Sequence, residues 1–262
     1  MKIAFSECPP DESNYTFPYH VWGYLEEGES VSSAYRQGFL PAEYDFSRFY
    51  LARSIRVKLD EFSSSSRMRY VERKCGSISD ALLTRDQFEF SAEWHEMVEV
   101  YFSVQKISAS YRHTRFLQQI DSPLATHVSC FVDESNGKPV GLVPILIRDG
   151  ISQYGIPVYD PSYRTVSIGN YIMAATLHRL RARGVDHCYL GYCSDRGSLY
   201  KTRFPGMQFF NGRGWSADRA ELHFAISQQD LTGAPHLLSS PEYVKDFGEV
   251  DPSSLNSKIY SI

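Results

Sequence analysis

Residues 127–160 read HVSCFVDESNGKPVGLVPILIRDGISQYGIPVYD, and this stretch decides the fold class. It holds three runs of apolar and β-branched residues, separated by Asn136–Gly137 and by Asp149–Gly150. Asparagine–glycine and aspartate–glycine pairs favour tight turns between neighbouring antiparallel strands. The stretch therefore predicts an antiparallel meander of three strands.

A helix and one further strand follow the meander. In Ser167–Arg183, the residues Met173, Leu177 and Leu180 recur at helical spacing, and HCYLG at 187–191 has the composition of a short buried strand. Meander, helix and strand in this order predict an α+β fold. The order resembles the GCN5-related N-acetyltransferase type, a mixed sheet with a central helix.

The chain divides by composition into three parts. We expect residues 1–85 to form an N-terminal α/β subdomain, residues 86–228 an acyltransferase-like domain, and residues 229–262 an irregular tail. In the first part, RSIRVK at 53–58 alternates basic and apolar residues as a half-buried strand does. The tail is rich in Ser, Pro and Gly, and this composition is typical of irregular structure.

Composition excludes several classes of protein. The chain has 262 residues and a net charge of −4, and its 42% hydrophobic content is that of a globular protein. Its five cysteines form no C-x-x-C pair, so we expect neither a disulfide scaffold nor a zinc module. Its eight histidines are scattered, and we expect no metal. The apolar run at 141–147 is too short to cross a bilayer, so we expect a cytoplasmic protein without membrane contact.

Basic residues are concentrated in two stretches. Residues 45–74 hold eight Lys or Arg against four Asp or Glu, and residues 178–203 hold six against two. Such stretches are either solvated faces or surfaces that meet a polyanion, and charge alone leaves both interpretations open.

Four short motifs carry a more specific resemblance: YDP (159–161), SIGNY (167–171), YLGY (189–192) and YKTRF (200–204). In this order they resemble the C-terminal half of the aminoacyl-tRNA–protein transferases, the arginyl- and leucyl-transferases that extend protein N-termini. GFLP at 38–41 and RSIRVKLDEF at 53–62 follow the order of that family's first domain.

The sequence also departs from that family in two places. FYLA at 49–52 stands where the family usually has C-x-x-C, and Cys193 replaces the tryptophan of its YLGYW motif. Cys8 is an isolated thiol near the N-terminus and makes no metal site alone. The departures suggest a divergent member of the family.

The resemblance implies transfer of an amino acid from charged tRNA to the α-amine of a protein or peptide N-terminus. Charged tRNA would be a co-substrate, and no cofactor is implied. Two alternatives stay open. One is an N-acyltransferase that uses acyl-CoA or a carrier protein, with pyrophosphate at the start of the SIGNY helix. The other is a binding module for N-termini or tRNA that has lost catalysis.

The candidate catalytic residues are Asp160, Tyr192 and Tyr171. Asp160 could hold the attacking ammonium or act as a base, but an aspartate before proline is also a common turn cap. Tyr192 could donate to the ribose or to an oxyanion, or be an ordinary rim tyrosine. Ser167 and Gly169 fit either an anion site or an ordinary helix start. The candidates for binding substrate or tRNA are Arg53, Arg56, Tyr159, Arg164, Ser167, Gly169, Gly191, Tyr200, Lys201 and Arg203.

Overall fold

The computed structural model describes residues 1–7, 19–104, 109–227 and 241–248. The strands are β1 (Lys2–Glu7), β2 (Tyr19–Tyr24), β3 (Phe39–Pro41), β4 (Phe49–Leu51), β5 (Ser54–Lys58), β6 (Ile78–Thr84), β7 (His127–Asp133), β8 (Lys138–Arg148), β9 (Ile151–Tyr154), β10 (Val158–Tyr159), β11 (His187–Tyr192), β12 (Met207–Phe210) and β13 (Trp215–Ser216). The helices are α1 (Val31–Arg36), α2 (Ser66–Lys74), α3 (Ala92–Ser103), α4 (Ala109–Ile120), α5 (Ile168–Ala182), α6 (Arg219–Ser227) and α7 (Pro241–Phe247), with 3₁₀ helices at Pro161–Val166 and Arg196–Thr202.

The chain forms two compact units. The first takes in Met1–Arg56, Gly191–Arg203 and the residues from Met207 onward, and the second takes in Val57–Leu190 and Phe204–Gly206. The chain therefore passes between units after Arg56, which differs from the boundary expected at residue 85. A linear sequence does not show that a late segment returns to pack with an early one, and the expected boundary missed this return.

The second unit is built on the meander that the sequence predicts. Its strands lie in the order β11-β9-β8-β7-β6, and every neighbouring pair is antiparallel except β11 with β9, which is parallel. The central strand β8 is buried from Val140 to Leu146 because helices cover both of its faces. This mixed sheet with a central helix confirms the predicted fold class.

The alternation of side chains along the strands shows which helices pack on each face of the sheet. On one face, Val128, Leu142 and Val158 form a core with residues of α3 and α4. On the other face, Gly141 lies under α5 so closely that a Cβ there would meet Cδ1 of Ile172 at 2.4 Å, and the hydroxyls of Ser129 and Thr176 are 2.9 Å apart. The sheet thus carries α5 on the face opposite to α3 and α4.

The third run of the meander is not one strand. Tyr154 lies opposite Ile145 and Val158 lies opposite Leu142, so the run has one residue more than β8 over the same span. This is a β-bulge, and it divides the run into β9 and β10. Asp160, which we expected at the end of the third strand, follows β10 beyond the bulge.

The first unit has a four-stranded antiparallel sheet in the order β1-β2-β4-β3 and a hairpin of β12 with β13. The tail predicted as irregular contains α7. Tyr243 of α7 is fully buried, packs against Phe224 of α6, and donates a hydrogen bond to Glu221. Burial of one aromatic ring orders a segment whose composition alone favours a loop.

Candidate active site

The bulge lies where two strands of the second unit stop pairing. Parallel pairing of β11 with β9 covers His187 to Tyr189, opposite Ile151 to Gln153. The bulge then follows: the N–H of Gly155 donates to the carbonyl of Pro144 at 2.9 Å, and that of Ile156 donates to Oε1 of Gln119 at 2.8 Å. A bulged strand bends, so the backbone of β10 turns away from the line of β9.

The chain after β10 leads directly into α5. Asp160 caps the 3₁₀ helix, with Oδ1 accepting from the N–H of Ser162 at 2.8 Å. This geometry supports the capping interpretation of Asp160, but it uses only one carboxylate oxygen. Asp160 is half-buried, and no described group hydrogen-bonds to its Oδ2. One oxygen therefore fixes the side chain while the other can accept a ligand.

The start of α5 has the geometry of an anion site. Ser167 is in the left-handed region at φ 61°, and its carbonyl accepts from the N–H groups of Asn170 (3.0 Å) and Tyr171 (3.2 Å). A helix leaves its first N–H groups unpaired, and here these are the amides of Ile168 and Gly169. The side chain of Ser167 makes no capping hydrogen bond in the described structure.

Tyr159 forms a wall beside this helix start. Its ring meets Tyr101 edge-on at a centroid distance of 5.0 Å, so the core of the unit holds it in place. A Cβ on Gly169 would lie 3.3 Å from Cε1 of Tyr159. Glycine at 169 therefore permits the close approach of the ring to the helix, and this supports the packing interpretation of that residue.

Arg164 and Tyr171, the other two candidates near this helix start, differ in exposure and in bonding. Arg164 is exposed, and within the described residues its guanidinium makes no hydrogen bond or ion pair. Tyr171 is buried, its hydroxyl donates to the carbonyl of Ile78 at 3.0 Å, and burial raises its pKa to about 12. Tyr171 is therefore a core residue, and its prediction as a catalytic group is not supported.

The first unit holds most of the remaining candidates in one segment, residues 191–203. Gly191 has φ 82°, where a side chain is strained, and the chain turns there into Tyr192. Asp195 caps the 3₁₀ helix by accepting from the N–H of Ser198 at 2.9 Å, and this bond is the main cause of its lowered pKa. Lys201 then reaches back and donates to the carbonyl of Tyr192 at 2.9 Å.

This arrangement exposes aromatic and cationic groups together. Residues Tyr192 and Tyr200 are 47% and 39% exposed, and the ammonium of Lys201 lies 5.6 and 5.9 Å from the centroids of their rings. Arg196 and Arg203 are exposed and have no hydrogen-bond or ion-pair partner in the described part of the chain. Arg196 was not predicted, although it belongs to the basic stretch at 178–203.

A family model described as acetyltransferase (GNAT) domain matches residues 63–202, which is more than half of the chain. The chain belongs to the GNAT domain family. The match covers the meander, α5, β11 and most of the 191–203 segment.

Curated relatives named aspartate/glutamate leucyltransferase include one from Sinorhizobium medicae, 27% identical over 177 residues, which cover 62% of this chain and 67% of the relative. Another, from Methylorubrum populi, is 25% identical over 180 residues, or 62% of this chain and 70% of the relative. At the level of enzyme class, the chain is a GNAT-type transferase related to aminoacyltransferases.

Solved structures with a similar chain path include L-PGS from Bacillus licheniformis, with a TM-score of 0.41 and 16% identity over 67% of this chain and 55% of that one. A GCN5-related N-acetyltransferase from Sphaerobacter thermophilus has a TM-score of 0.37 and 15% identity over 72% of this chain and 56% of that one. The chain thus spans little more than half of each of these two proteins.

Two arginines predicted to contact tRNA serve the fold outside the GNAT match. Arg53 donates to the carbonyls of Cys193 and Ala225, both at 3.4 Å, and burial lowers its pKa. Its own carbonyl accepts from the N–H of Cys193 at 3.0 Å, so Arg53 anchors the start of the 191–203 segment. Arg56 bonds Gln208 at 2.8 Å and stacks on Trp215 at 3.9 Å. We therefore leave both out of the proposed contact surface.

The described cysteines are core residues of the fold. Cys75, Cys130, Cys188 and Cys193 are buried and unpaired, and burial raises the pKa of each thiol, to about 11 for Cys75 and about 12 for Cys130 and Cys188. Cys8 lies outside the described residues.

At the place of the family's C-x-x-C, Phe49 is fully buried against Tyr35 and Phe46. Among the described residues, no group of His, Cys, Asp and Glu has the geometry of a metal site. Within the same residues, none of the helices has the length and apolar content needed to cross a bilayer.

Proposed function

We propose that this GNAT-type enzyme transfers an amino acid from charged tRNA to the α-amine of a protein or peptide N-terminus. The amine nitrogen attacks the ester carbonyl, a C–N bond forms, and the C–O bond to the ribose breaks. The ammonium gives up two protons: a base takes the first before the attack and passes it to solvent, and the departing ribose oxygen takes the second and leaves as a hydroxyl. Because the ester is already activated, positioning and charge stabilisation supply most of the catalysis.

The observation that carries the proposal is the 191–203 segment. It places the exposed rings of Tyr192 and Tyr200 around Lys201, beside two unpaired arginines. Exposed rings accept stacked bases, and arginine or lysine binds phosphates, so the set suits a single-stranded nucleic-acid end. The name of the leucyltransferase relatives supports the same chemistry.

Asp160 and the start of α5 would act on the reacting groups. The free Oδ2 of Asp160 would hold the attacking ammonium, whose pKa of roughly 8 leaves a weak base sufficient to deprotonate it. The amides of Ile168 and Gly169 would stabilise negative charge, and Arg164 would add a cation nearby. Tyr192 would donate its hydroxyl to the ribose of the tRNA end that the 191–203 segment binds.

The start of α5 also favours a second candidate function. The same two amides could bind the pyrophosphate of coenzyme A, as expected for an N-acyltransferase with the GNAT fold. That candidate explains the helix start but leaves the exposed rings and arginines of the 191–203 segment without a role. We therefore rank it second.

A transfer assay tests the proposal. The purified chain would be mixed with tRNA charged with labelled leucine, then with other labelled amino acids, and with peptides of varied N-terminal residue, beginning with Asp and Glu. We expect label in the peptide. Absence of label with every amino acid, together with saturable binding of coenzyme A in calorimetry, would replace the proposal with the second candidate. Absence of label with tRNA still bound would leave a binding module.

Matched variants test the assigned surface. Arg196→Gln with Arg203→Gln removes two cations and no described contact, and we expect at least a tenfold rise in KM for tRNA, from about 1 kcal/mol or more per phosphate contact. Arg219→Gln with Lys245→Gln removes two exposed charges elsewhere in the same unit and should leave KM unchanged. Equal KM values for the two double variants would contradict the assignment.

A further inference from the structure

Helix α2 in the second unit carries a dense row of cations. Its sequence is SRMRYVERK, and Arg67, Arg69, Arg73 and Lys74 are all exposed, whereas Val71 is the helix's one buried residue. The helix therefore contributes little to the core of the unit, and six of its nine residues are exposed to solvent. A helix with this pattern contacts solvent or a partner of opposite charge.

The placement of these cations is not explained by helix stability. Lysine or arginine in the last turn is favourable because of the helix dipole, and Arg73 and Lys74 fit that rule. Arg67 lies in the first turn, where the dipole disfavours a cation and where α2 has no acidic residue. The helix thus carries positive charge at both ends, against the local electrostatic preference at one of them.

Two cations of α2 also differ from those at the end of α5, which pair within the unit. Arg179 bonds Asp80 at 2.6 Å, and Arg181 donates to the carbonyl of Phe62 at 2.8 Å. By contrast, Arg67 and Arg73 have no hydrogen-bond or ion-pair partner among the residues that the structure describes. Their guanidinium groups are available to an external anion.

The remaining basic residues of α2 are exposed as well. Arg69 donates to the carbonyl and the hydroxyl of the serines that precede it, at 2.6 and 3.1 Å, so its guanidinium has a fixed position. Lys74 lies 4.9 Å from the ring centroid of Tyr70, which is 52% exposed. An exposed ring between cations can stack on a sugar or a base.

This row leads to the candidate site. Hydrogen bonds of Arg181 to Phe62 and of Cys75 to Val166 (3.8 Å) show that α2 runs antiparallel to α5, with its C-terminal end beside the start of α5. Exposed Arg164 lies at that start. The helix is about 13 Å long, so its cations can reach several phosphates of one strand.

We propose that this α2 row, formed by Arg67, Arg69, Tyr70, Arg73 and Lys74, binds the sugar–phosphate backbone of RNA. In the enzyme it directs the arm of the donor tRNA that carries the amino acid toward the start of α5. The second part rests on the proposed function, whereas binding of RNA by the row does not.

Salt-dependent binding of a labelled, uncharged tRNA pool tests the row in the full chain. Arg67→Gln with Arg73→Gln removes two cations that make no described contact. Arg112→Gln with Lys138→Gln is the matched control, since both residues are exposed in the same unit and have no described partner. Thermal unfolding of both variants checks that they fold.

We expect the α2 variant to reduce the slope of log K against log salt by about 2, or about one per phosphate contact. The ratio of variant to wild-type Kd should therefore shrink about 16-fold between about 50 and about 200 mM salt. The control should keep the wild-type slope. Equal slopes in all three proteins, or equal losses in both variants, would overturn the proposal.

Two further outcomes distinguish this proposal from the proposed function and from lipid binding. If wild type binds tRNA through the row but transfers no amino acid, the proposed function fails and the RNA surface stands. If the α2 variant binds tRNA like wild type but loses binding to vesicles of anionic phosphatidylglycerol, the row is a lipid-binding surface and the RNA proposal is overturned.

Discussion

The bulge beside the candidate site leaves no room for a side chain at Gly155. A Cβ there would lie 2.5 Å from the carbonyl oxygen of Pro144 and 2.6 Å from Oε1 of Gln119. The first distance is about an ångström short of ordinary contact and involves backbone, which cannot rotate away. The change Gly155→Ala must therefore displace the bulge or the neighbouring part of β8.

The loss in free energy of unfolding can be estimated from the packing and the hydrogen bond that this displacement disturbs. Overpacking of this kind costs about 1–3 kcal/mol, and loss of the hydrogen bond from Gly155 to Pro144 adds about 0.5–1.5 kcal/mol. We expect the free energy of unfolding to fall by about 2–4 kcal/mol. For a chain of this size, 1 kcal/mol shifts Tm by about 2–4 °C, so Tm should fall by about 5–15 °C.

Thermal unfolding of Gly155→Ala, wild type and Gly214→Ala measures this effect. Gly214 is the matched control because a Cβ there would meet no atom within 4 Å, so its Tm should stay within about 2 °C of wild type. The transfer rate of Gly155→Ala should also fall, since β10 leads from the bulge to Asp160. A Tm for Gly155→Ala equal to that of the control would refute the close packing of the bulge.

The remaining predictions concern three hydroxyl or carboxyl groups. Tyr171→Phe should lower the free energy of unfolding by about 0.5–1.5 kcal/mol, because the carbonyl of Ile78 loses its hydrogen-bond donor. The transfer rate at fixed temperature should stay at the wild-type value. A large loss of rate in the folded variant would restore Tyr171 to the catalytic set. Asp160→Asn keeps an oxygen for the N–H of Ser162, so we expect an unchanged free energy of unfolding and a transfer rate at least about a hundredfold lower. Asp160→Ala should also lose about 0.5–2 kcal/mol of stability, because the cap is removed. Full activity of the Asn variant would exclude a role for the charge. The hydroxyl of Tyr163 and the groups of Ser135 lower the pKa of Asp133 to about 2, so the stability from this carboxylate is complete above its ordinary pKa near 4 and is lost as the pH falls through about 2. Acid unfolding curves should show this loss in wild type and a flatter response in Asp133→Asn, and parallel curves would contradict it.

Local patterns predicted the fold well because its decisive elements are local. The meander turns at Asn136–Gly137 and Asp149–Gly150 need only residues that tolerate positive φ, and Gly137, Asp149 and Gly150 have φ of 71°, 49° and 78°. The bulge was not predicted because its partner is distant. Gln119, which accepts from Ile156, lies 37 positions earlier in the sequence, on another element.

The same distinction applies to the candidate residues. Motif resemblance selected Tyr171 and Arg53, but a motif does not show whether a hydroxyl or guanidinium is already bonded inside the fold. Both are bonded to backbone carbonyls far away in the sequence. Exposure, which selects Tyr192, Arg203 and the unpredicted Arg196, depends on the packing of the whole unit and has no local signature.

The net negative charge is consistent with RNA as a partner once the distribution of charge is considered. Residues 66–74 and 192–203 together carry seven basic and two acidic residues, and the rest of the chain has 20 basic against 29 acidic. A polyanion is therefore repelled by most of the sequence and attracted by two short segments. Repulsion elsewhere suppresses misplaced binding, so the enzyme would gain orientation of its donor at the expense of affinity. The slope of log K against log salt then reports how many phosphates these two segments contact.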